Sequence, residues 1–300
     1  MYDFWDWWQH LPESINPFLV DIGSFRLPYY GLMYIIAFAT TYCLALYRVK
    51  HEKRFGITKS HITGLMTAMI LGLVIGARLG YVLFYNLFYY LKNPLEIFLP
   101  FSFSNGIAFT GISGMSYHGG LIGVIVAVWY YIRKSELNFW QMTDLFAPVI
   151  PLGYTFGRLG NFINGELYGR VTSKPFGMYF PLAPGSSLRH PSQLYEAFFE
   201  GIFLFAVLWS MRNLKWAKGA MLAFYLIGYG VVRLLIEYFR QPDAHLGFVF
   251  LSFSLGQIFS GFMILVGFSV YLYIALTREG LTDQSDCLPS DSASLLITKS

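Results

Sequence analysis

The sequence predicts an all-α polytopic membrane protein with seven transmembrane helices, its amino terminus outside and its carboxyl terminus in the cytoplasm. Three observations predict this fold class. Of the 300 residues, 55% are hydrophobic and 13% are charged, whereas soluble domains carry roughly 25% charged residues. The chain contains seven windows of about 20 mostly apolar residues, the length that an α-helix needs to cross a bilayer core. Finally, its lysines and arginines concentrate in alternate loops between these windows.

The seven windows differ in quality. The last is the cleanest because it contains no charged side chain, whereas the fourth contains Asp144, Pro148 and Pro151. Proline removes a backbone donor, so we expect the fourth helix to kink or break. In chain order, the windows cover residues 28–47, 62–91, 116–132, 140–157, 192–211, 219–239 and 253–277.

The basic residues of the loops set the predicted orientation. The loops after windows one, three, five and seven hold 12 of the 21 lysines and arginines, and the opposite side holds seven. Short loops rich in these residues stay in the cytoplasm, so the amino terminus is expected outside. Four of the seven outward cations lie within residues 158–189, a concentration that needs its own explanation.

The domain prediction follows from the windows. We expect residues 1–277 to form a single seven-helix transmembrane domain that begins with an outward interfacial segment, residues 1–27. This segment starts acidic and aromatic and is not expected to be a cleaved signal peptide, and its three early tryptophans fit the headgroup depth of a bilayer. Residues 278–300 are polar and are expected to form a disordered cytoplasmic tail.

Composition also excludes several classes of function. With only Cys43 and Cys287, the chain has neither a disulfide framework nor a cysteine-based zinc site. The net charge of +4 is modest and the basic residues are spread over short loops, so no nucleic-acid partner is expected. No internal repeat is evident, which argues against the inverted halves of many secondary transporters.

The strongest motif is GRLGNFINGELYGR, residues 157–170, at the outer end of the fourth window. Glycines allow a close backbone approach to a ligand, and the guanidinium of Arg158 can bind a phosphate with two hydrogen bonds. If the helix continues that far, Arg158 and Asn161 share one face. The alternative is a polar re-entrant turn that binds no ligand.

The sixth window carries Arg233, Glu237 and Arg240 at i, i+4 and i+7, an ionic stripe that cannot face lipid. With two arginines and one carboxylate, the stripe is expected to offer net positive charge to an anionic substrate. The alternative is an internal ion pair between Arg233 and Glu237 that leaves Arg240 over.

His118, in the sequence YHGG at the start of the third window, can accept a proton at neutral pH. The glycines after it are expected to leave room for a substrate, although a histidine at a helix start is often only a hydrogen-bonding cap. Tyr30 and its neighbours are typical of an aromatic belt, and Arg78 could pair with Glu196 or Asp144. Most of these costly polar groups lie toward the outward side, which favours one site there.

In this order, the segments YYGLMY, GARLGYVLFYN, SYHGG, GRLGNFINGELYG, HPSQLYEA and RLLIEYFRQPD make the chain resemble the prolipoprotein diacylglyceryl transferases of bacterial inner membranes. The resemblance covers about residues 23–277, and its 13-residue signature is specific. It implies a multi-pass inner-membrane enzyme with its site toward the periplasm. Such an enzyme transfers the diacylglyceryl group of phosphatidylglycerol to the lipobox cysteine in the signal peptide of a preprolipoprotein and releases glycerol phosphate.

The resemblance also implies roles for individual residues. Arg158 and Arg233 are expected to bind the phosphate and to act in catalysis, and the signature is completed by Asn161, Glu166 and Gly169. His118 is the first candidate for the base, followed by Glu166 and Tyr30, while Glu237 and Arg240 are expected at the lipid. The partners are phosphatidylglycerol, the lipobox peptide and membrane lipid, and no metal or other cofactor is expected.

Two other functions remain open from the residues alone. A transporter or flippase for an anionic lipid would also need buried arginines in a polar cavity, but it would place them near the midplane with access from both sides. A non-catalytic membrane scaffold would leave the glycine and asparagine cluster without a purpose. The resemblance favours the transferase over both.

Overall fold

A computed structural model gives the fold in two compact units, one formed by residues 1–41 with 140–300 and the other by residues 42–139. Helix α2 (Tyr29–His51) begins in the first unit and ends in the second. The structure describes the whole chain except residues 1–3, 23–24, 100, 103–107, 110–113, 242–247, 251–252 and 287–300.

The first unit opens with helix α1 (Phe4–Ser14), followed by an antiparallel hairpin of β1 (Phe18–Ile22) and β2 (Phe25–Pro28). Aromatic side chains of α1 are exposed, including Phe4 at 60% and Trp7 at 55%. These exposed aromatic rings are what an interfacial helix presents to a bilayer surface.

The fourth window forms two helices, α6 (Phe139–Phe146) and α7 (Ile150–Ile163), separated by a turn. The break predicted from the prolines is therefore confirmed: Pro148 lies in the turn and Pro151 in the first turn of α7, where its missing N–H costs nothing. Helix α7 continues to Ile163, through the first half of the GRLGNFINGELYGR motif, as the pairing of Arg158 with Asn161 requires.

The fifth window is one helical segment with a change of hydrogen bonding inside it. Helix α8 (Ser192–Tyr195) passes into a π-helical stretch at Glu196–Phe203 and then into α9 (Leu204–Met211). π-Helical turns are rare and occur frequently at functional sites. This one begins at a buried glutamate.

Helices α10 (Ala220–Ile236) and α11 (Leu255–Asp286) complete the first unit, with a short hairpin of β5 (Phe248–Phe250) and β6 (Phe253–Ser254) before α11. Asp144 accepts hydrogen bonds from the backbone N–H groups of Gly219 and Met221, at 2.7 and 3.0 Å. This carboxylate therefore caps the amino terminus of α10, where negative charge is stabilising.

Small residues let α10 and α11 approach closely. A Cβ atom on Gly230 would lie 2.9 Å from the carbonyl oxygen of Ser260, and one on Gly267 would lie 3.1 Å from that of Ala223. Such packing is typical of helices in membranes, where apolar surface alone gives no driving force for association. Helix α11 includes residues 278–286 of the predicted polar tail, and residues 287–300 lie outside the described residues.

The second unit centres on two packed helices, with short elements between them. Its elements after α2 are a 3₁₀ turn at Lys53–Phe55, α3 (Lys59–Tyr85), α4 (Leu87–Lys92), a 3₁₀ turn at Pro94–Ile97, β3 (Phe101–Ser102), β4 (Ala108–Phe109) and α5 (Tyr117–Lys134).

Glycines bring α3 and α5 into backbone contact. A Cβ atom on Gly72 would lie 2.5 Å from the carbonyl oxygen of Gly123, and one on Gly80 would lie 2.6 Å from Cα of Gly119. The prediction that Gly119 and Gly120 leave room for a substrate is wrong, because α3 occupies the space beside both glycines. The spacing of these glycines is the small-xxx-small pattern of membrane helix pairs.

Within the part of the chain that the structure describes, four helices are long and apolar enough to cross a membrane, and the 17-residue helix α10 is apolar but shorter. The protein is therefore a helical membrane protein. A helix lies over each of the seven predicted windows, at Tyr29–His51, Lys59–Tyr85, Tyr117–Lys134, Phe139–Ile163 with its break, Ser192–Met211, Ala220–Ile236 and Leu255–Asp286.

Candidate active site

A buried carboxylate, Glu196, lies among three arginines of the first unit. Its Oε2 atom is 2.8 Å from Nε of Arg158, and its Oε1 atom is 3.3 Å from Nη1 of Arg233 and 3.8 Å from Nη1 of Arg240. The Glu196 side chain is only 1% exposed. Arg158 and Arg233, the two arginines that were predicted to bind the phosphate, therefore contact the same carboxylate. They lie on different helices, α7 and α10, and 75 positions apart in the chain.

Glu200, one turn further along the π-helical stretch, adds a second carboxylate. Its Oε1 atom lies 3.5 Å from Nη1 of Arg233. Tyr154 connects this carboxylate to Arg158, since its hydroxyl donates to Glu200 and accepts a hydrogen bond of 2.6 Å from Nε of Arg158. The guanidinium of Arg158 also lies over the Tyr154 ring, 4.7 Å from its centroid. These contacts fix the plane of the Arg158 fork.

Glu237 follows α10 and pairs with Arg233 through a distance of 2.7 Å between Oε2 and Nη2. Its other oxygen accepts a hydrogen bond of 2.9 Å from the hydroxyl of Ser254. A Cβ atom on Gly256 would lie 2.6 Å from this carboxylate, so glycine is needed there to leave it room. The Arg233–Glu237 ion pair, which was the alternative interpretation of this stripe, is present, but Arg240 is not left over, because it faces Glu196.

The signature forms a chain of hydrogen bonds that starts at Arg158. Its Nη1 atom donates to Oδ1 of Asn161 at 3.2 Å, and Nδ2 of Asn161 donates to Oε1 of Glu166 at 2.8 Å. The amide of Gln193, which is fully buried, donates to the backbone carbonyl of Glu166. Arg158 and Asn161 therefore contact each other on one face of α7, as their i, i+3 spacing predicted.

Gly169 holds the loop after α7 against the end of α10. A Cβ atom there would lie 2.5 Å from the carbonyl oxygen of Phe239 and 2.6 Å from that of His190, so any side chain would separate the loop from both. The N–H of Gly169 donates to the backbone carbonyl of His190 at 2.8 Å. Gly169 therefore places backbone and not side chains beside Arg240, its partner in a β-bridge.

The concentration of cations in residues 158–189 has a structural explanation. Arg170 donates to the backbone carbonyls of Arg240 and Glu237, at 2.9 and 3.5 Å, just after α10. Arg189 is buried, donates to the carbonyl of Gly169 and lies over the ring of Tyr168. These arginines bind the loop after α7, residues 164–191, to itself and to the end of α10, so their guanidinium groups have hydrogen-bond partners within the protein.

Tyr30 lies at the start of α2, beside the signature. Its ring packs on Gly160, where a Cβ atom would lie 3.1 Å from Cδ2 of the tyrosine. Its hydroxyl is 3.2 Å from that of Tyr34. The structure thus brings Tyr30 to the helix that carries Arg158 and Asn161.

His118 belongs to the second unit, where it is the second residue of α5 and is exposed. The cap of this helix is the hydroxyl of Ser116, which accepts from the N–H of Gly119 at 3.2 Å. Arg78 is also in this unit and donates to the backbone carbonyls of Ile97 and Gly114, at 2.8 and 3.2 Å.

The expectation of net positive charge at the ionic stripe is wrong. It counted Glu237 alone, whereas Arg158, Arg233 and Arg240 face three carboxylates, Glu196, Glu200 and Glu237. Burying such charges costs several kcal/mol per ion unless they are paired. Among the described residues, this cluster is formally balanced.

Glu200 and Tyr154 were missed by reasoning from sequence, and Glu196 was considered only as a possible partner of Arg78. A signal for the two glutamates was present, because ionisable groups four residues apart inside an apolar window normally mark a site or a pathway. Tyr154 precedes Arg158 by four residues on α7, so its contact with the arginine could also have been predicted.

Part of the cluster is accessible. The Arg158 side chain is 17% exposed, and its Nη2 atom makes no hydrogen bond within the described part of the chain. A rigid guanidinium with free donors can bind a phosphate or another oxyanion with two hydrogen bonds. Because Arg233 approaches the same carboxylate, a bound anion could contact both arginines by competing with Glu196.

Comparisons with known proteins agree on one family. The family model described as "Prolipoprotein diacylglyceryl transferase" matches residues 17–273. Three relatives carry the name phosphatidylglycerol--prolipoprotein diacylglyceryl transferase. The protein of Chlorobaculum tepidum is 52% identical over 91% of this chain and 94% of its own. That of Treponema denticola is 42% identical over 91% and 96%, and that of Bordetella parapertussis 46% over 87% and 96%.

Proposed function

Because the chain belongs to the prolipoprotein diacylglyceryl transferase family, we propose that it transfers the diacylglyceryl group of phosphatidylglycerol to the lipobox cysteine of a preprolipoprotein signal peptide. The names of the relatives state the lipid and the protein substrate and favour transfer over transport. The observation that carries the proposal at the level of residues is the position of Glu196, with Arg158 on one carboxylate oxygen and Arg233 on the other.

The reaction joins sulfur to carbon. The cysteine sulfur attacks the carbon of the diacylglycerol unit that bears the phosphate. A carbon–sulfur bond forms, and the bond from that carbon to the phosphate oxygen breaks. The electron pair leaves with glycerol phosphate, and the thiol proton passes to a base. The products are a thioether and a phosphate monoester.

Arg158 and Arg233 stabilise the departing phosphate. Its negative charge grows as the carbon–oxygen bond breaks, so fixed cations bind the transition state more tightly than the bound lipid. The contacts of Arg158 with Tyr154 and Asn161 orient its guanidinium before the lipid arrives. Such preorganisation avoids the cost of turning donors during the reaction.

The other predicted residues surround this pair. Asn161 orients Arg158, and Glu237 orients Arg233. Gly169 keeps the loop after α7 close to Arg240. The backbone of this loop and the guanidinium of Arg240 then lie at the lipid headgroup.

We assign the base to His118, with Glu166 and Tyr30 as alternatives. A cysteine thiol has a pKa near 8.5 and must lose its proton to attack, and a neutral imidazole can accept that proton at physiological pH. Replacing His118 by Gln keeps a polar side chain but removes the base, so turnover should fall and its remaining pH dependence should shift. Nearly full turnover with an unchanged pH profile would place the base elsewhere.

The membrane arrangement follows from charge and helix length. We propose that residues 1–277 form one seven-helix domain in the bacterial inner membrane, with the amino terminus and the active site toward the periplasm. The exposed tryptophans of α1 and the four long apolar helices support this arrangement. Both substrates are membrane bound, so lateral diffusion delivers them.

The activity is tested with purified protein, phosphatidylglycerol vesicles and a peptide that bears a lipobox cysteine. Mass spectrometry should detect the diacylglyceryl adduct on the peptide and the release of glycerol phosphate. A peptide with serine in place of the cysteine is the control, and vesicles of phosphatidylethanolamine test the choice of lipid. Absence of the adduct with the cysteine peptide would contradict the proposed function.

A further inference from the structure

Lysines and arginines gather at one end of the second unit. Helices α3 and α5 run antiparallel, and Tyr131 near the end of α5 packs on Gly64 near the start of α3. The loop after α2, the start of α3 and the end of α5 therefore lie at the same end. Residues 48–61 and 131–136 hold seven lysines and arginines and two glutamates, whereas residues 86–116, which join the other ends of α3 and α5, hold one lysine and one glutamate.

The glutamate of the loop after α2 is already paired. Glu52 accepts hydrogen bonds of 2.7 and 2.9 Å from the fully buried Arg48, and of 3.1 and 2.7 Å from Arg54. Both guanidinium groups lie over the ring of the buried Phe55, 5.0 and 4.8 Å from its centroid. These contacts fix the turn and occupy the carboxylate, so Glu52 does not neutralise the lysines beside it.

Five exposed cations, which we call the basic end, lie at this end of the unit: Lys50, Lys53, Lys59, Arg133 and Lys134. The ammonium groups of its lysines form no ion pair within the part of the chain that the structure describes. Glu136, the exposed glutamate after α5, offsets only one of these charges. The basic end is therefore a preformed surface of positive charge.

The position of the basic end selects the kind of anion. Helices α2 and α3 are both long and apolar enough to cross a membrane, so cations at the end of α2 and the start of α3 lie at the depth of the lipid headgroups. Tyr47, one turn before the end of α2 and 46% exposed, presents an aromatic ring at the same level, as tyrosines do at membrane interfaces. The flexible stems of lysine side chains can reach phosphate groups from there.

We propose that the basic end binds the phosphate groups of anionic phospholipids in the leaflet at that end, which the charges of the loops predict to be the cytoplasmic one. Because contacts with Glu52 hold the turn in the free protein, binding need not order it first. A soluble polyanion is a less suitable partner, because α2 and α3 place these cations against the bilayer. The inference does not depend on the proposed transferase activity.

The test compares two variants that each lose two positive charges. Lys50→Gln/Lys53→Gln removes them from the basic end, and Lys92→Gln/Lys174→Gln removes them from exposed positions elsewhere. Native mass spectrometry of the protein in detergent micelles measures the dissociation constants of phosphatidylserine, an anionic probe, and of phosphatidylcholine, which has no net charge. A photoactivatable phosphatidylserine identifies the residues in contact with the lipid.

Lys50→Gln/Lys53→Gln should weaken the binding of phosphatidylserine at least about fivefold, the factor that one lost cation accounts for at an anionic surface. Binding of phosphatidylcholine should stay the same, and Lys92→Gln/Lys174→Gln should change either constant less than about twofold. Lys50→Arg/Lys53→Arg keeps both charges and should retain binding. The photoactivatable lipid should label residues 48–61, and added salt should reduce this labelling because exposed charges are screened.

Equal losses in the two glutamine variants would overturn the inference, because net charge and not position would then account for binding. Equal affinity of the unchanged protein for the two lipids, or labelling that avoids residues 48–61, would also overturn it. The midpoint of thermal unfolding is measured for each variant in the same micelles. Weakened binding in Lys50→Gln/Lys53→Gln with an unchanged midpoint, together with retained binding in Lys50→Arg/Lys53→Arg, distinguishes the loss of charge from a loss of fold.

Discussion

The hydroxyl of Tyr154 accepts a hydrogen bond of 2.6 Å from Nε of Arg158, one helical turn further along α7. The same hydroxyl donates to Glu200, which lies on another segment and is fully buried. A neutral group thus connects a cation to a carboxylate with which Arg158 makes no ion pair in the structure. Arg158 contacts Glu196 through the same Nε atom, which lies 2.8 Å from Oε2 of the glutamate.

Tyr154→Phe removes this connection and keeps the ring. We expect the free energy of unfolding to fall by about 1.5–3 kcal/mol, the usual value for a hydrogen bond to a charged group, and turnover to fall at least about tenfold as the Arg158 fork loses its orientation. Equilibrium denaturation and the peptide assay measure the two effects. Tyr273→Phe, at an exposed ring, is the control. An unchanged kcat in Tyr154→Phe would refute the orienting role.

Arg158→Lys keeps the charge but loses the planar fork. One ammonium group cannot reproduce the contacts with Tyr154, Glu196 and Asn161 together. We expect kcat to fall about 100-fold or more, as when a donor to a developing negative charge is removed. Lys174→Arg, at an exposed position of the loop after α7, should leave kcat unchanged. Wild-type turnover in Arg158→Lys would count against bidentate binding of the phosphate.

Glu196→Gln removes the carboxylate that Arg158 and Arg233 share. Because the remaining buried guanidinium charge is then underpaired, we expect the free energy of unfolding to fall by about 3–5 kcal/mol. Denaturation in detergent micelles measures it. Glu13→Gln, at a side chain that is 47% exposed, should change stability by less than about 0.5 kcal/mol. Equal effects of both substitutions would show that Glu196 is not a structural centre of the cluster.

Gly169→Ala tests the contact between the loop after α7 and the end of α10. The new Cβ atom would meet two backbone oxygens, so the backbone must move, and we expect a loss of stability of about 1–3 kcal/mol. Gly157→Ala, in the same signature, is the matched control, because no atom lies within 4 Å of its Cβ position. A loss in both variants, or in neither, would contradict this explanation of Gly169.

His190 should make stability depend on pH. Burial lowers the pKa of His190 below its ordinary value near 6.5, so the unfolded chain takes up this proton first as the pH falls. The contribution of neutral His190 to the free energy of unfolding is then complete above pH 6.5. It declines as the pH falls from that value to the lower pKa of the folded state. The midpoint of thermal unfolding between pH 7.5 and 5 should therefore decline less steeply in His190→Gln. An equal slope in His190→Gln and the unchanged protein would exclude this role.

Local pattern predicted much of this molecule. A helix lies over every apolar window, and the break in the fourth window occurs at Pro148 because proline acts on its own turn. The hydrogen bond from Arg158 to Asn161 was also predictable, since residues three apart on a helix are neighbours whatever surrounds them.

The centre of the candidate site was not predicted, because it depends on which distant segments meet. Periodicity places Glu196 inside an apolar window but does not say that α7 and α10 bring arginines to it. Gly119 was misinterpreted for a similar reason: a glycine beside a histidine can serve a ligand or another helix, and only the packing on Gly80 distinguishes them.

Under the proposed function, the balance between the three arginines and the three carboxylates affects how the enzyme selects its lipid. A charge-neutral constellation projects little field into its surroundings, so it neither gathers anions from afar nor responds strongly to ionic strength. Discrimination between headgroups must then occur at close range, by the exchange of one oxyanion for another on the guanidinium groups. Once glycerol phosphate departs, the displaced Glu196 can return to the two arginines. The cluster then regains its charge balance without taking up an ion from solvent.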